Sequence, residues 1–159
     1  MPIEKSELRR VMGHFATGVT VITTHDGNGA VAGLTANAVA SLSLIPPLIL
    51  ICVDKTAECY PSFEKSGVFA VNILAEDQET ISRRFATRGV AKFEGIGYRL
   101  NEDGCPLLDD AVGHLDCRIV ARHDGGDHTI YLGEVRGGDA DERPPLLFFR
   151  GGYRKIGSS

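Results

Sequence analysis

The fold is decided by residues 115–136, LDCRIVARHDGGDHTIYLGEVR. Apolar residues occupy the odd positions from 115 to 121, and charged residues lie between them except at Val120. This period of two is typical of a strand with one buried face. Two glycines and two aspartates follow at residues 124–127, and residues 129–136 then resume strand-forming sequence in which Gly133 marks a bulge. The segment is therefore predicted to be an antiparallel hairpin.

A second hairpin is predicted nearer the N-terminus. Residues 19–24 are mostly β-branched, residues 25–29 read HDGNG, and extended character resumes at Ala30. A doubly wound parallel sheet needs a crossover helix after nearly every strand, and two hairpins argue against it. The chain also has 19 glycines, which favour turns and bulges. We therefore expect a mainly antiparallel β-barrel with peripheral helices.

The helices and the remaining strands are predicted from the spacing of apolar residues and from the residues that interrupt helices and strands. A first helix is predicted to begin with Ser6 as its cap. Apolar residues at helical spacing give it one stripe, made of Leu8, Val11, Met12 and Phe15. Residues 48–53 are continuously apolar, which predicts a central strand buried on both faces. The other predicted elements are strands at 38–44 and 68–74, a helix start at 61–65, a helix at 77–86 ended by Gly89, and a final strand at 146–149.

Length and composition exclude several classes of protein. The 159 residues have the length of one domain, so residues 1–159 are predicted to form a single domain. A net charge of -4 offers no basic surface for nucleic acid. No apolar stretch resembles a secretory signal or spans a bilayer, so we expect no membrane association and a cytoplasmic location. The four cysteines form no Cys-x-x-Cys pair and have no histidine at ligand spacing, so no metal site is predicted.

The sequence lacks the motifs of hydrolases and of common nucleotide-binding folds. Neither glycine pair, at 27 and 29 or at 95 and 97, continues into a dinucleotide fingerprint, and no phosphate loop, zinc helix or nucleophile elbow occurs. The sequence still contains clusters of polar side chains, but none with the pattern of a catalytic nucleophile. This is typical of a protein whose cofactor performs the reaction. One such set consists of Thr35, Asn37, Ser41 and Ser43. From spacing alone, the simpler interpretation is that these side chains belong to a solvent-facing strand.

His128 differs from the other histidines by its surroundings. Gly125, Gly126 and Asp127 precede it and Thr129 follows, which places an imidazole at the mouth of a strand. From spacing alone it is either a ligand contact or an ordinary hairpin residue.

Ordered segments along nearly the whole chain carry a resemblance to a known family. They are MGHFATGV at 12–19, GLTANA at 33–38, SLS at 41–43, PPL at 46–48, FAVN at 69–72, GDHT at 126–129, GEV at 133–135 and PLLFF at 145–149. In this order they resemble the flavin reductase-like family of small flavin-dependent NAD(P)H oxidoreductases. The resemblance implies a split β-barrel of Greek-key type, a homodimer, and supply of reduced flavin to a partner flavin-dependent monooxygenase.

The same resemblance implies site residues. Flavin, as FMN or FAD, is expected at Gly33, Leu34, Thr35, Ala36, Asn37, Ala38, Ser41, Ser43, Val53, Asp54, Lys55, Thr56, Lys92 and Phe93. Relatives often have serine where Ala38 stands, which leaves the phosphate contacts to Ser41 and Ser43. The nicotinamide of NADH or NADPH is expected at Met12, Gly13, His14, Phe15, Ala16, His128, Arg150, Gly151, Gly152 and Tyr153. His128 is expected to orient the nicotinamide and not to take a proton.

Two other functions remain open at this point. A flavin- or haem-binding carrier or sensor on the same barrel needs no residue that orients a nicotinamide, so a role for His128 would argue against it. Pyridoxamine phosphate oxidation on a related barrel is disfavoured because few basic residues surround the proposed phosphate segment.

Overall fold

The computed structural model describes residues 1–157, so the last two residues of the predicted 1–159 domain lie outside the described part. Its helices are α1 (Lys5–Met12), α2 (Tyr60–Ser66) and α3 (Glu79–Phe85). Its strands are β1 (Thr17–Gly18), β2 (Thr20–His25), β3 (Val31–Ala36), β4 (Val39–Leu44), β5 (Pro47–Asp54), β6 (Val68–Ile73), β7 (Tyr98–Leu100), β8 (Pro106–Leu108), β9 (Gly113–Gly125), β10 (His128–Ala140), β11 (Leu147–Phe149) and β12 (Gly152–Arg154).

Seven strands form one antiparallel sheet in the order β3-β2-β6-β9-β10-β5-β4. Both predicted hairpins, β2–β3 and β9–β10, are confirmed. The sheet ends, β3 and β4, are consecutive in the chain and joined only by residues 37 and 38. Because consecutive Cα atoms lie 3.8 Å apart, this link holds the two ends within about 11 Å of each other. The sheet therefore curls into a barrel, as predicted, and β3 and β4 are its two unpaired edges.

The barrel interior is filled by side chains, so no cofactor fits inside it. Phe63 of α2 is buried and stacks on Tyr131 of β10, with ring centroids 5.7 Å apart. The interior cluster consists of Ile22, Ile49, Ile51, Val53, Cys59, Phe63, Phe69, Val71, Cys117 and Tyr131. A second cluster, between the sheet and α3, consists of Val19, Val21, Leu74, Phe85, Leu108 and Leu146.

Gly133 marks the predicted irregularity in the long hairpin. The β9–β10 register shifts between Leu132 and Gly133, and Val120 is the unpaired residue on the facing strand. A Cβ at position 133 would lie 2.6 Å from Cζ of Phe69. Glycine is required here because the ring of a core phenylalanine packs against the backbone.

We expect Gly133→Ala to lower the free energy of unfolding by about 1–3 kcal/mol, because the new methyl group overpacks the barrel core. Urea denaturation followed by circular dichroism measures the change. Gly18→Ala is the matched control, since a Cβ there meets nothing within 4 Å. Equal stability of the two variants would contradict this account of Gly133.

The structure corrects the prediction for the first helix. Glu4, and not Ser6, stands at the N-cap of α1, and no side-chain cap bond is formed. The helix ends before Phe15, which is 71% exposed. No residue of α1 is buried, so its apolar stripe has no partner within the described chain.

Two predictions about strands were also wrong. In β5, Ile49, Ile51 and Val53 are buried while the alternating residues are only half-buried, so one face of this strand lies outside the barrel. The strand at 147–149 is not the last, because Arg150 and Gly151 turn the chain with φ values of 51° and 74° into β12. The predicted helix at 77–86 is confirmed as α3, although it ends at Phe85, before Gly89. Within residues 1–157, no helix is long and apolar enough to span a membrane.

Candidate functional site

A cavity of about 200 Å³ lies between the end of β3 and the C-terminal hairpin β11–β12. It brings three predicted flavin residues, Thr35, Ala36 and Asn37, together with the predicted nicotinamide residue Tyr153. The complete lining is Val19, Thr35, Ala36, Asn37, Ser82, Ala86, Phe148 and Tyr153. We call this space the β3 cavity. It combines apolar and aromatic surface with a few polar groups, which is the composition of a site for a planar organic ligand.

The walls of the β3 cavity are fixed by hydrogen bonds and ring contacts. The Thr35 hydroxyl donates to the carbonyl of Ser82 at 2.6 Å. The Ser82 and Tyr153 hydroxyls lie 2.7 Å apart. The Tyr153 ring meets Phe148 edge to face at 5.4 Å, and the Arg83 guanidinium lies 4.9 Å from its centroid. Strand, helix and hairpin are thus tied together around one space.

A second cavity, of about 210 Å³, opens on the other half of β3. The ammonium of Lys92 lies 3.4 Å from the Gly33 carbonyl, and the Phe93 ring packs edge to face on Phe85 at 5.0 Å. This cavity is lined by Val31, Ala32, Gly33, Glu58, Cys59, Ser62, Val90, Lys92 and Phe93. The predicted flavin residues Gly33, Lys92 and Phe93 therefore share one place, next to the β3 cavity.

Residues 54–56 form a turn whose polar atoms bond one another. Asp54 Oδ1 accepts hydrogen bonds from the amide and the hydroxyl of Thr56, both at 2.8 Å, and these bonds lower the pKa of Asp54. The Lys55 amide donates to the Asp127 carbonyl at 3.0 Å, and its ammonium pairs with Asp124. The turn is therefore fastened to the tip of the β9–β10 hairpin.

His128 lies at that tip, directly across the sheet from Asp54. Its Nδ1 is 2.7 Å from Asp127 Oδ1, a contact that lowers the pKa of Asp127. The side chain is 40% exposed, and Nε2 forms no hydrogen bond with any residue in the described part of the chain. An ionised carboxylate thus orients the ring and leaves Nε2 directed to solvent or ligand.

The two other predicted nicotinamide segments contact each other. The Arg150 amide donates to the Gly13 carbonyl at 2.7 Å, and the His14 ring meets Phe149 edge to face at 6.2 Å. Just beyond residues 12–16, the Thr17 hydroxyl is buried and has no hydrogen-bond partner among residues 1–157. These segments reach the β3 cavity through Tyr153. No hydrogen bond or ring contact in the described chain joins them to His128.

The remaining predicted flavin residues have a less direct relation to the two cavities. Val53 is fully buried, so only its backbone atoms can face a ligand, and the half-buried Leu34 packs on the barrel core. Ser41 and Ser43 lie on the edge strand β4, where the register with β5 shifts between them, and neither lines the two cavities. Asn37 and Ala38 are exposed, and their amides find no protein acceptor among residues 1–157.

These residues suit a flavin in chemical character. A flavin ring system has two apolar faces and one edge of carbonyl and N–H groups. The β3 cavity supplies aromatic surface at Phe148 and Tyr153, and the adjoining link supplies the free amides of residues 37 and 38. Backbone N–H groups of this kind bind carbonyl oxygens and phosphate.

Sequence reasoning missed Ser82 and Phe148 as cavity residues. Phe148 stands in a strand-like apolar run that gives no sign of which face it uses. Ser82 follows Ile81 on α3 and is fully buried, which its polarity does not suggest. The only available signal was the position of this serine three residues before Phe85, on the same face of an amphipathic helix.

Comparisons with known proteins agree with this geometry. A family model described as "Flavin reductase like domain" matches residues 12–157. The HsaB reductase subunit of a flavin-dependent monooxygenase from Rhodococcus jostii (strain RHA1) is 43% identical over 155 residues, which are 97% of this chain and 79% of that protein. An NADH-dependent FAD reductase from Streptomyces globisporus is 42% identical over 161 residues, covering 98% of this chain and 87% of that protein.

Solved structures are similar as well. The Streptomyces globisporus NADH:FAD oxidoreductase SgcE6 has a TM-score of 0.92 and 41% identity, with 99% of this chain and 96% of that chain covered. The flavin reductase PheA2 has a TM-score of 0.89 and 39% identity, with 98% and 100% covered. From the family match and these identities, the chain belongs to the flavin reductase-like domain family.

Proposed function

We propose that this protein is an NAD(P)H:flavin oxidoreductase that transfers hydride from the nicotinamide to FMN or FAD and supplies reduced flavin to a partner monooxygenase. The observation that carries the proposal is the β3 cavity, where the predicted flavin segment faces the predicted nicotinamide hairpin. Relatives named for NADH-dependent reduction of FAD and FMN support it. The alternative of a non-catalytic flavin or haem carrier has no such support among them.

The flavin, when bound, supplies the hydride-accepting chemistry, and the protein's residues hold and orient it. We place its ring beside residues 35–38 and its phosphate-bearing chain toward Ser41 and Ser43. Lys92 and Phe93 flank it from the same subunit, and the turn at 54–56, which is fastened to the hairpin tip beside His128, flanks it from the partner subunit. Thr35 has one hydroxyl proton, already donated to Ser82, so toward a ligand it only accepts hydrogen bonds. Exposed amides at residues 37 and 38 donate instead.

Asn37→Ala is expected to weaken flavin binding by about 1–3 kcal/mol, because the side-chain amide of Asn37 loses a hydrogen bond to the flavin that becomes buried when the flavin binds. Titration of flavin fluorescence measures the change. Asn28→Ala, in the exposed β2–β3 turn, is the control that leaves the affinity unchanged. Equal flavin affinity of Asn37→Ala and the wild-type protein would remove this residue from the site.

We place the nicotinamide over the flavin against residues 12–16 and the turn at 150–153. No acid or base is required of these residues, because hydride transfer between stacked rings depends on distance and orientation. Asp127 holds the His128 ring, and Nε2 then has a hydrogen bond available for the nicotinamide amide. Since His128 makes no described contact with the other nicotinamide residues, we assign it to the site of the partner subunit.

A homodimer makes that arrangement possible. The outward residues of β5 and β10 form an apolar face, defined by Leu48, Leu50, Cys52, Ile130 and Leu132. All five are half-buried in the single chain. The face continues into the ends of both strands at Asp54 and His128, which are paired across the sheet. A second copy seated on it would bring each His128 close to the other subunit's cavity.

The test of the function is consumption of NADH or NADPH by the purified protein, with and without FMN, FAD or riboflavin. We expect oxidation only when a flavin is present, since the residues of the proposed site bind and orient the flavin, and the flavin accepts the hydride. A rate independent of flavin would overturn the proposal. Transfer of reduced flavin to an oxygenase is tested by mixing the two proteins with NADH and flavin and measuring hydroxylation of the oxygenase's substrate.

A further inference from the structure

Ser82 joins the two halves of the proposed site through two different groups. Its side chain is fully buried in α3, where a serine hydroxyl commonly bonds the carbonyl one turn back. Here the hydroxyl instead lies 2.7 Å from that of Tyr153, on another element. The backbone carbonyl of Ser82 accepts hydrogen bonds from the Ala86 amide at 3.2 Å and from the Thr35 hydroxyl at 2.6 Å. One helical residue therefore bonds both the flavin strand and the nicotinamide hairpin.

Tyr153 depends on this bond for its orientation. Phe148 limits the ring on one side and Arg83 covers it at 4.9 Å, while Glu79 holds Arg83 at 3.6 Å. These contacts pack against the ring without bonding its hydroxyl. Among residues 1–157, the Ser82 hydroxyl is the hydrogen-bond partner of the Tyr153 hydroxyl and holds that end of the ring beside α3 and β3.

We propose that Ser82 is a positioning residue for hydride transfer, setting the separation between the flavin segment of β3 and Tyr153 without itself touching a reacting atom. This inference rests on the proposed function. It follows that the Ser82 hydroxyl affects the rate of reduction more than the affinity for flavin. Loss of the hydroxyl leaves the Thr35 bond intact, because that bond ends on the Ser82 backbone carbonyl.

The test compares Ser82→Ala, Tyr153→Phe and the double variant in anaerobic reduction of bound flavin at saturating NADH. Each single variant is expected to lower the rate constant by about 3- to 30-fold, with unchanged flavin affinity. Both remove the same bond, so the double variant should be no slower than Tyr153→Phe. Ser82→Thr retains the hydroxyl and should recover part of the rate. Thr80→Ala, exposed on the same helix, is the control that keeps the wild-type rate.

A second readout is independent of turnover. The chain has four tyrosines, so protein labelled with 3-fluorotyrosine gives few ¹⁹F resonances, and Tyr153→Phe identifies the one from Tyr153. Ser82→Ala should move or broaden that resonance and leave the other three unchanged. An unmoved Tyr153 resonance, a wild-type rate in Ser82→Ala, additive losses in the double variant, or a loss of flavin affinity as large as the loss of rate each overturns the role of Ser82.

The failure of this inference is distinguishable from the failure of the proposed function. If the wild-type protein reduces flavin and Ser82→Ala does so equally fast, only the positioning role is lost. If the wild-type protein reduces no flavin with either nucleotide, the proposed function fails and the role of Ser82 fails with it.

Discussion

His128→Ala is expected to slow the reduction of bound flavin by NADH by about 5- to 150-fold, because one hydrogen bond that positions the nicotinamide is lost. Flavin affinity should remain that of the wild-type protein, since in the described chain no hydrogen bond of the turn at 54–56, the flavin segment beside His128, ends on the imidazole. Stopped-flow measurement of flavin absorbance over a range of NADH concentrations separates the two effects.

Two further variants, His128→Asn and Asp127→Ala, test this prediction in more detail. His128→Asn keeps a donor and an acceptor near the imidazole position and should recover part of the rate. Asp127→Ala removes the carboxylate that holds Nδ1 at 2.7 Å, and a smaller loss in the same direction is expected. Reduction at the wild-type rate by His128→Ala across all NADH concentrations would show that His128 is only a hairpin residue.

Leu50→Arg is expected to convert the proposed dimer to monomers and to abolish most of the flavin reduction. Leu50 pairs with Leu132 at the centre of the apolar face, and a two-fold interface would bury two unpaired arginines. Each uncompensated buried charge costs about 3–5 kcal/mol, so the dimer dissociation constant should rise at least about 10³-fold. Sedimentation velocity measures the assembly, and NADH oxidation measures the consequence.

Leu100→Arg is the matched control for Leu50→Arg. Leu100 is 55% exposed on β7, away from the β5–β10 face. This variant should stay dimeric and active, and circular dichroism should show both variants folded. A wild-type protein that sediments as a monomer and still turns over would contradict the shared site.

Much of the fold was predictable because turn chemistry and alternation are local signals. The glycines and aspartates at 124–127 mark the long hairpin, and the alternation from 115 to 121 identifies its buried face. The short strands β1, β7, β8 and β12 were not predicted, because two or three residues contain no period. The apolar run at 48–53 predicts a strand buried on both faces, because a continuous apolar run does not show whether the second face meets another layer of the same chain.

The candidate site was predictable to the extent that family motifs mark it. Thr35, Asn37 and Tyr153 do meet around one cavity, although Tyr153 comes 116 positions after Asn37 in the chain. The hydrogen bond that the Thr35 hydroxyl donates to the Ser82 carbonyl was not predictable from the sequence, because it depends on how α3 packs against β3. The distance in space between His128 and the other residues proposed for the nicotinamide was not predictable either, because it depends on the position of the β9–β10 hairpin tip in the folded sheet.

The central claim is that this protein holds a nicotinamide and a flavin in one fixed orientation for direct hydride transfer. Anaerobic single-turnover reduction of bound flavin, using NADH deuterated at either of the two C4 positions, tests it most directly. We predict that one deuterated form slows the loss of flavin absorbance and transfers its deuterium, while the other reacts at the rate of unlabelled NADH. No reduction at all, or the same slowing with both forms, would contradict the account.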